Sequence, residues 1–92
     1  MGTRVTDELT VEDKIRVLIS DVLAISRDRV AVFSADTGLF GELPELDSLA
    51  VASLLTEMED RLDIYIEDEE VDADMLSTFG ALVAFAERKT LG

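Results

Sequence analysis

The sequence predicts an all-α fold, a small bundle of three longer helices and one short helix. Apolar residues recur at helical spacing in three separate stretches, and no stretch alternates apolar and polar residues over the length of a strand. The length of 92 residues suffices for one domain with one modest core. We therefore expect one domain over residues 1–92, with a helical core at about 9–89 and short flexible ends.

The first helix is predicted over residues 11–25. Its apolar residues follow one another in steps of 4, 3, 1, 3 and 1, which places them on one helical face (Val11, Ile15, Leu18, Ile19, Val22 and Leu23). Thr10 precedes this run and Asp13 follows three residues later, a spacing that resembles a capping box.

A long connection is predicted after the first helix, over residues 26–46. Ser, Asp, Gly and Pro interrupt any helical period there, yet seven larger apolar residues recur through it (Val30, Val32, Phe33, Leu39, Phe40, Leu43 and Leu46). These apolar residues indicate an ordered loop that is pinned to the core. A connection of this length also lets two helices be joined without a tight antiparallel turn.

The second helix is expected to begin at Asp47, because Asp is a preferred N-cap residue. One face carries apolar residues at helical spacing (Val51, Leu54, Leu55, Met58 and Leu62). The opposite face is small or acidic (Ala50, Ser53, Glu57 and Asp60). We expect the first face to lie in the core and the second to face solvent.

Asp63 to Glu70 are expected to form a link after the second helix. The acidic run Glu67–Glu70 suggests a cation site, but it lacks the Asp-x-Asp-x-Asp-Gly pattern of a calcium loop, so a solvated link without metal is the expectation. Residues 72–76 are the predicted short helix. The last helix is expected to start near Ser77 or Thr78, with one buried face (Phe79, Leu82, Val83 and Ala86). Gly80 would weaken that helix by about 1 kcal/mol relative to Ala if its position is in the helix interior.

The net charge of −13 is concentrated in the middle of the chain. Residues 36–78 hold fourteen acidic residues and a single base, Arg61. Such a field repels phosphate backbones, which disfavours nucleic-acid binding, and attracts partners with basic patches. The alternative is a well-solvated surface with no partner.

Several classes of function are disfavoured by what the chain lacks. Without Cys or His it has no disulfide, no usual zinc site and no Ser–His or Cys–His pair. Exposed carboxylates alone do not make an acid–base set, so the chain is not expected to be an enzyme. No stretch is long and apolar enough to span a membrane, and a monomer in the cytoplasm is expected. The first six residues fit a loose myristoylation pattern that is common by chance.

Ser48 is prominent because it follows the predicted N-cap, at the end of the long loop. A helix N-terminus presents free N–H groups and the positive end of the helix dipole, so it tolerates an attached phosphate. Taken alone, an ordinary first-turn serine would be the simpler interpretation.

The chain resembles the acyl carrier protein family from about Val11 to Glu87. The resemblance rests on Asp47-Ser48-Leu49 opening an amphipathic helix after a long loop, and on the acidic segments that follow (Glu57–Leu62 and Ile66–Glu70). It implies a four-helix carrier whose serine receives 4'-phosphopantetheine from coenzyme A through a separate phosphopantetheinyl transferase. The arm ends in a thiol that carries acyl groups as thioesters.

Carried over to this chain, the resemblance makes Ser48 the attachment site, with Asp47 presenting it. Leu49 and the stripe on the second helix would contact acyl-loading and acyl-transfer enzymes through their basic patches (Leu49, Ala50, Ser53, Glu57 and Asp60).

The chain departs from the family pattern where partners dock. Leu46 stands where the family commonly has Gly, and Ala50 and Ser53 replace the acidic residues of fatty-acid carriers. These departures point to a dedicated lipid, secondary-metabolite or polysaccharide-associated pathway rather than bulk fatty-acid synthesis. The alternative to a carrier is an unmodified acidic helical adaptor, in which Ser48 is only a first-turn residue.

Overall fold

Four α-helices and one 3₁₀ turn make up the protein in the computed structural model, which describes residues 10–91. The helices are α1 (Val11–Leu23), α2 (Arg27–Ala31), α3 (Ser48–Leu62) and α4 (Phe79–Leu91), and the 3₁₀ turn spans Asp68–Glu70. The all-α prediction and the three longer helices are confirmed. The expected flexible N-terminus and the myristoylation pattern lie outside the described residues.

The N-terminal cap predicted for α1 is present. Thr10 Oγ1 accepts a hydrogen bond from the Asp13 N–H at 3.1 Å, and Asp13 Oδ2 accepts one from the Thr10 N–H at 3.4 Å. The helix ends two residues earlier than predicted. Ala24 takes up a left-handed conformation with φ 56° and donates its N–H to Ser20, which closes the last turn.

The short helix does not lie where the sequence analysis placed it. Residues 73–77 form turns rather than the helix predicted at 72–76, whereas α2 lies in the stretch that was expected to be a loop. Ser26 caps α2 by accepting a hydrogen bond from the Arg29 N–H at 3.2 Å, and Val30 is buried beneath it. A helix of five residues is too short for apolar periodicity to reveal.

The rest of the long connection is held on the core as expected, with exceptions. Four of its apolar residues are buried (Val30, Phe33, Leu39 and Leu46), while Val32 is 80% exposed and Phe40 is 43% exposed. Backbone hydrogen bonds of 2.9 Å run from the Leu39 N–H to Ser77 and from the Phe40 N–H to Leu76. They fasten the loop to the segment that precedes α4.

Helix α1 contacts the other three helices and forms the middle of the bundle. The apolar faces predicted for α3 and α4 supply core residues that are fully or almost fully buried (Leu54, Met58, Leu82 and Ala86). Arg16 of α1 ties two helices together, because its Nη1 donates to the Val30 carbonyl at 2.7 Å and its guanidinium lies 4.5 Å from the Phe79 ring centroid. Thr78 Oγ1 accepts from the Ala81 N–H at 3.1 Å, which confirms the predicted start of α4.

Candidate functional site

The N-terminus of α3 is built around Asp47. This residue is the N-cap in extended conformation, and its Oδ1 accepts a hydrogen bond from the Ala50 N–H at 2.9 Å. Its carbonyl accepts the first bond of the helix, from the Val51 N–H at 2.9 Å. The predicted cap is therefore confirmed, and it makes Ser48 the first residue of the helix.

Ser48 is exposed to solvent at the positive end of α3. The first turn of a helix leaves N–H groups without intrahelical acceptors, and these suit a phosphate oxygen close by. An exposed hydroxyl at this position can be reached by a modifying enzyme without unfolding the bundle. The residues present thus fit a phosphodiester on Ser48 Oγ.

A groove of about 320 Å³ adjoins Ser48. Its walls come from the loop, from α3 and from the link before α4, and they are mainly apolar (Phe40, Ser48, Val51, Val71, Asp72, Ala73 and Leu76). A chain attached to Ser48 can lie along this groove or extend into solvent. Leu54 and Met58 do not line the groove and are fully buried in the core of the bundle.

The stripe predicted for partner contact lies on the outer side of α3. Leu49 is 79% exposed, Ser53 and Asp60 are exposed, and Ala50 is half-buried. Glu57 is also half-buried, and its Oε1 accepts a hydrogen bond from Arg61 Nε at 2.9 Å. One of the two carboxylates on the stripe is therefore already paired within the helix.

Sequence analysis did not identify Phe40 as a neighbour of Ser48. It was grouped with the residues pinned to the core, but Leu39 takes the buried position and the Phe40 ring lines the groove. The exposure of Phe40 could have been predicted from the local sequence. Leu39 and Phe40 are adjacent apolar residues between Gly38 and Gly41, and two neighbours in such a turn do not both point inward.

Leu46 explains one departure from the family pattern. Its side chain is 4% exposed and belongs to the core cluster, so the turn before Ser48 is fastened from below by a buried leucine. A glycine there would leave the backbone freer and the core less filled.

Glu45 pairs with Arg29 on α2, and this pair was also missed. Arg29 Nη1 lies 2.8 Å from Glu45 Oε2, and the hydrogen bond from Arg29 lowers the pKa of Glu45 below its usual value. The reciprocal effect of the Glu45 carboxylate raises the pKa of Arg29. A pair separated by 16 residues leaves no mark in a local sequence pattern.

The acidic link carries one comparable pair. Lys89 Nζ donates to both carboxylate oxygens of Glu70 at 2.9 and 3.0 Å. The Glu67 N–H and then Lys89 lower the pKa of Glu70. Within residues 10–91 no group of three or more carboxylates converges on a position that could hold a metal ion.

Comparison with known proteins identifies the family of this chain. The family model for the phosphopantetheine attachment site matches residues 13–86. An acyl carrier protein of Streptococcus thermophilus is 38% identical over 82 residues, which cover 89% of this chain and 99% of that protein.

The chain belongs to the acyl carrier protein family. A second relative, the acyl carrier protein of Akkermansia muciniphila, is 33% identical over 86% of this chain and 91% of its own. The solution NMR structure of a holo acyl carrier protein from Nitrosomonas europaea superposes with a TM-score of 0.82 and 32% identity, covering 91% of this chain and all of that one.

Membership of the family makes the protein a carrier of covalently attached phosphopantetheine. The helical architecture described above is the one that the holo acyl carrier protein shares. No helix within the described residues 10–91 is long and apolar enough to cross a membrane.

Proposed function

We propose that Ser48 carries the 4'-phosphopantetheine arm. The observation that carries this proposal is its position as the exposed first residue of α3, directly after the Asp47 cap. The helix dipole and the free N–H groups of the first turn stabilise a phosphodiester there. The arm supplies the thiol that this chain lacks, and that thiol holds acyl groups as thioesters.

Attachment uses the Ser48 hydroxyl as the nucleophile. Ser48 Oγ attacks the phosphorus atom of coenzyme A that bears the pantetheine. The bond from that phosphorus to the bridging oxygen of the pyrophosphate breaks. The adenosine bisphosphate portion leaves, and the hydroxyl proton passes to a base on the phosphopantetheinyl transferase. The carrier contributes an exposed, oriented hydroxyl, and the transferase supplies the base and the metal ion.

Asp47 and Leu49 assist from either side of the serine. Asp47 holds the first turn through its bond to the Ala50 N–H and thereby sets the direction of the Ser48 side chain. Leu49 is an exposed apolar residue next to the arm and offers a contact to each partner enzyme. These enzymes include the transferase and the enzymes that load and transfer the acyl group.

The remaining partner contacts come from the outer stripe of α3 (Ala50, Ser53, Glu57 and Asp60). Exposed ion pairs between this face and basic patches are individually weak and are screened by salt. Weak contacts suit a carrier that visits several enzymes and leaves each one quickly. The protein acts as a monomer in the cytoplasm, where coenzyme A is available.

The carrier serves a dedicated lipid, secondary-metabolite or polysaccharide-associated pathway. Two features favour this over bulk fatty-acid synthesis. The first exposed turns of α3 carry Ala50 and Ser53 instead of acidic residues, and the turn before Ser48 is shaped by buried Leu46. Enzymes that bind carriers with a more acidic helix and a glycine in the preceding turn would encounter a different docking surface on this protein.

The test is intact mass after incubation with coenzyme A and a broad-specificity phosphopantetheinyl transferase. We expect the wild type and the control Ser34→Ala to gain one phosphopantetheine and Ser48→Ala to gain none, while circular dichroism shows the same helix content in all three. Gain of the arm by Ser48→Ala would move the attachment site elsewhere. No gain by the wild type, with this transferase or with one from the native host, would instead favour the unmodified adaptor.

A further inference from the structure

An ion pair between Arg29 and Glu45 restrains the turn that leads into α3. Arg29 on α2 meets Glu45 through two contacts, 2.8 Å from Nη1 to Oε2 and 3.4 Å from Nη2 to Oε1. A guanidinium that meets both oxygens of one carboxylate fixes orientation as well as distance. Glu45 lies only three residues before Ser48.

The two residues between Glu45 and Ser48 are each held by a separate contact. Leu46 is buried in the core, and its N–H donates to the Leu43 carbonyl at 3.1 Å. Asp47 is tied to the first turn of α3 through the Ala50 N–H. The ion pair between Arg29 and Glu45 is the third contact that restrains this short segment, and its arginine comes from α2.

The backbone around Arg29 is held in place by its own contacts. Its neighbour Val30 is 2% exposed, and the Val30 carbonyl accepts a hydrogen bond from Arg16 at 2.7 Å. The N–H of Arg29 donates to the Ser26 cap. The backbone of α2 therefore cannot follow Glu45 if that residue moves, so the ion pair restrains the loop rather than travelling with it.

We propose that Arg29 is a positioning residue for the modification of Ser48, acting through Glu45 on the turn that presents the serine. This rests on the proposed attachment at Ser48. Arg29 makes no contact with the reacting atoms in this scheme. It favours the form in which the serine is oriented for the transferase, and an exposed pair of this kind changes the equilibrium constant between oriented and displaced forms by up to about five-fold.

The kinetic test compares transferase-catalysed labelling of the apo protein with coenzyme A across five variants. Arg29→Gln and Glu45→Gln should each lower kcat/KM about two- to five-fold. The double variant should lose no more than either single one, and the swap of Arg29→Glu with Glu45→Arg should recover most of the loss. Arg27→Gln is the matched control, because Arg27 is an exposed arginine on the same helix whose nearest carboxylate, on Asp21, is 3.8 Å away.

Each other result overturns the proposal. Additive losses in the double variant would mean that the two residues touch the transferase independently, and an unrecovered swap would mean the same. Equal rates in all variants would remove the positioning role. Thermal unfolding of each variant accompanies the kinetics, because a shared fall in Tm with unchanged labelling would show a purely structural pair.

A second measurement separates this proposal from the attachment proposal. Amide hydrogen exchange of the unmodified protein should be faster over residues 46–49 in Arg29→Gln and Glu45→Gln, and unchanged there in Arg27→Gln. If the wild type accepts no arm at any site, attachment at Ser48 fails while the exchange data still report on the restraint. Unchanged exchange over residues 46–49 overturns the positioning role in either case.

Discussion

Gly80 lies against the backbone of Ala35. The Gly80 N–H donates to the Ala35 carbonyl at 2.9 Å, and a Cβ placed on Gly80 would fall 2.8 Å from the Ala35 Cβ and 2.9 Å from its carbonyl oxygen. The adjacent Phe79 N–H donates to the Thr37 carbonyl at 2.8 Å. The absence of a side chain at Gly80 thus lets the long loop lie on the first turn of α4, and this loop carries Phe40 to the groove beside Ser48.

Gly80→Ala should therefore lower the free energy of unfolding. Gly80 is the second residue of α4, so Ala gains less there than the roughly 1 kcal/mol of a helix interior. Forcing atoms into a tight backbone contact costs about 1–3 kcal/mol, and the neighbour here is backbone that cannot simply rotate away. Urea denaturation measures the difference. Ala81→Gly, the next position in the same first turn, is the control for propensity and should cost no more than about 1 kcal/mol. A Gly80→Ala variant more stable than wild type would contradict the contact.

Protonation of Glu45 and Glu70 should remove a stabilising contribution at acidic pH. Arg29 lowers the pKa of Glu45, and the Glu67 N–H and Lys89 lower the pKa of Glu70. A carboxyl group with a lowered folded-state pKa stabilises the protein above its unfolded pKa, near 4.5, and this contribution is lost as pH falls through the folded value. Below about pH 4.5 this loss should decrease the urea midpoint, against an opposite effect of the other carboxylates, whose protonation reduces the net charge of −13. In Glu45→Gln and Glu70→Gln this decrease should be shallower, and slopes identical to wild type would count against the pairs.

Added salt should weaken binding to the transferase and to acyl-transfer enzymes. Residues 36–78 hold fourteen acidic residues against Arg61 alone, and screening shortens the reach of this field from about 30 Å at 0.01 M to about 3 Å at 1 M ionic strength. Titration of the carrier against a partner over that range should give a rising Kd. Leu49→Ala should raise Kd at every salt concentration without changing the slope, because Leu49 adds apolar contact. A Kd independent of salt would show that apolar contacts dominate.

A long acyl chain on the arm should perturb the core. Leu54, Met58 and Leu82 are fully buried side chains, and an acyl chain that enters the bundle must separate them. Methyl NMR spectra of the holo and long-chain acyl forms should differ at these three residues. A short acyl group is the matched control and should shift only signals near Ser48 and Phe40. Shifts confined to the groove with the long chain as well would place the cargo outside the core.

The helical faces and the caps followed from local pattern. Ile15, Leu18 and Ile19 recur at the period of a helix and are buried in the structure. The Thr10 and Asp47 caps were predictable because a capping side chain bonds to a backbone N–H within three residues of itself. Features decided within a few residues of one another are readable without knowledge of the fold.

The structure of the long connection was predicted less accurately than that of the longer helices. Helix α2 contains a single buried residue, Val30, and one buried position carries no period. The stretch 72–76 has the composition of a helix, but it forms turns whose residues Leu76 and Ser77 accept bonds from Phe40 and Leu39. The donors, Leu39 and Phe40, lie more than thirty positions earlier in the chain, so their effect cannot be seen in the local sequence.

Local sequence pattern is enough to predict the all-α class, the three longer helices, the acidic middle segment and the position of Ser48 after its cap. Each of these depends on residues that are neighbours along the chain. Three further features depend on tertiary packing. Phe40 lines the groove beside Ser48, Arg29 pairs with Glu45, and the absence of a side chain at Gly80 allows the close approach of Ala35. These three relationships join residues from 8 to 45 positions apart. They exist only because packing around α1 brings separate segments within a few ångströms of one another, and periodicity along the chain does not encode such distances.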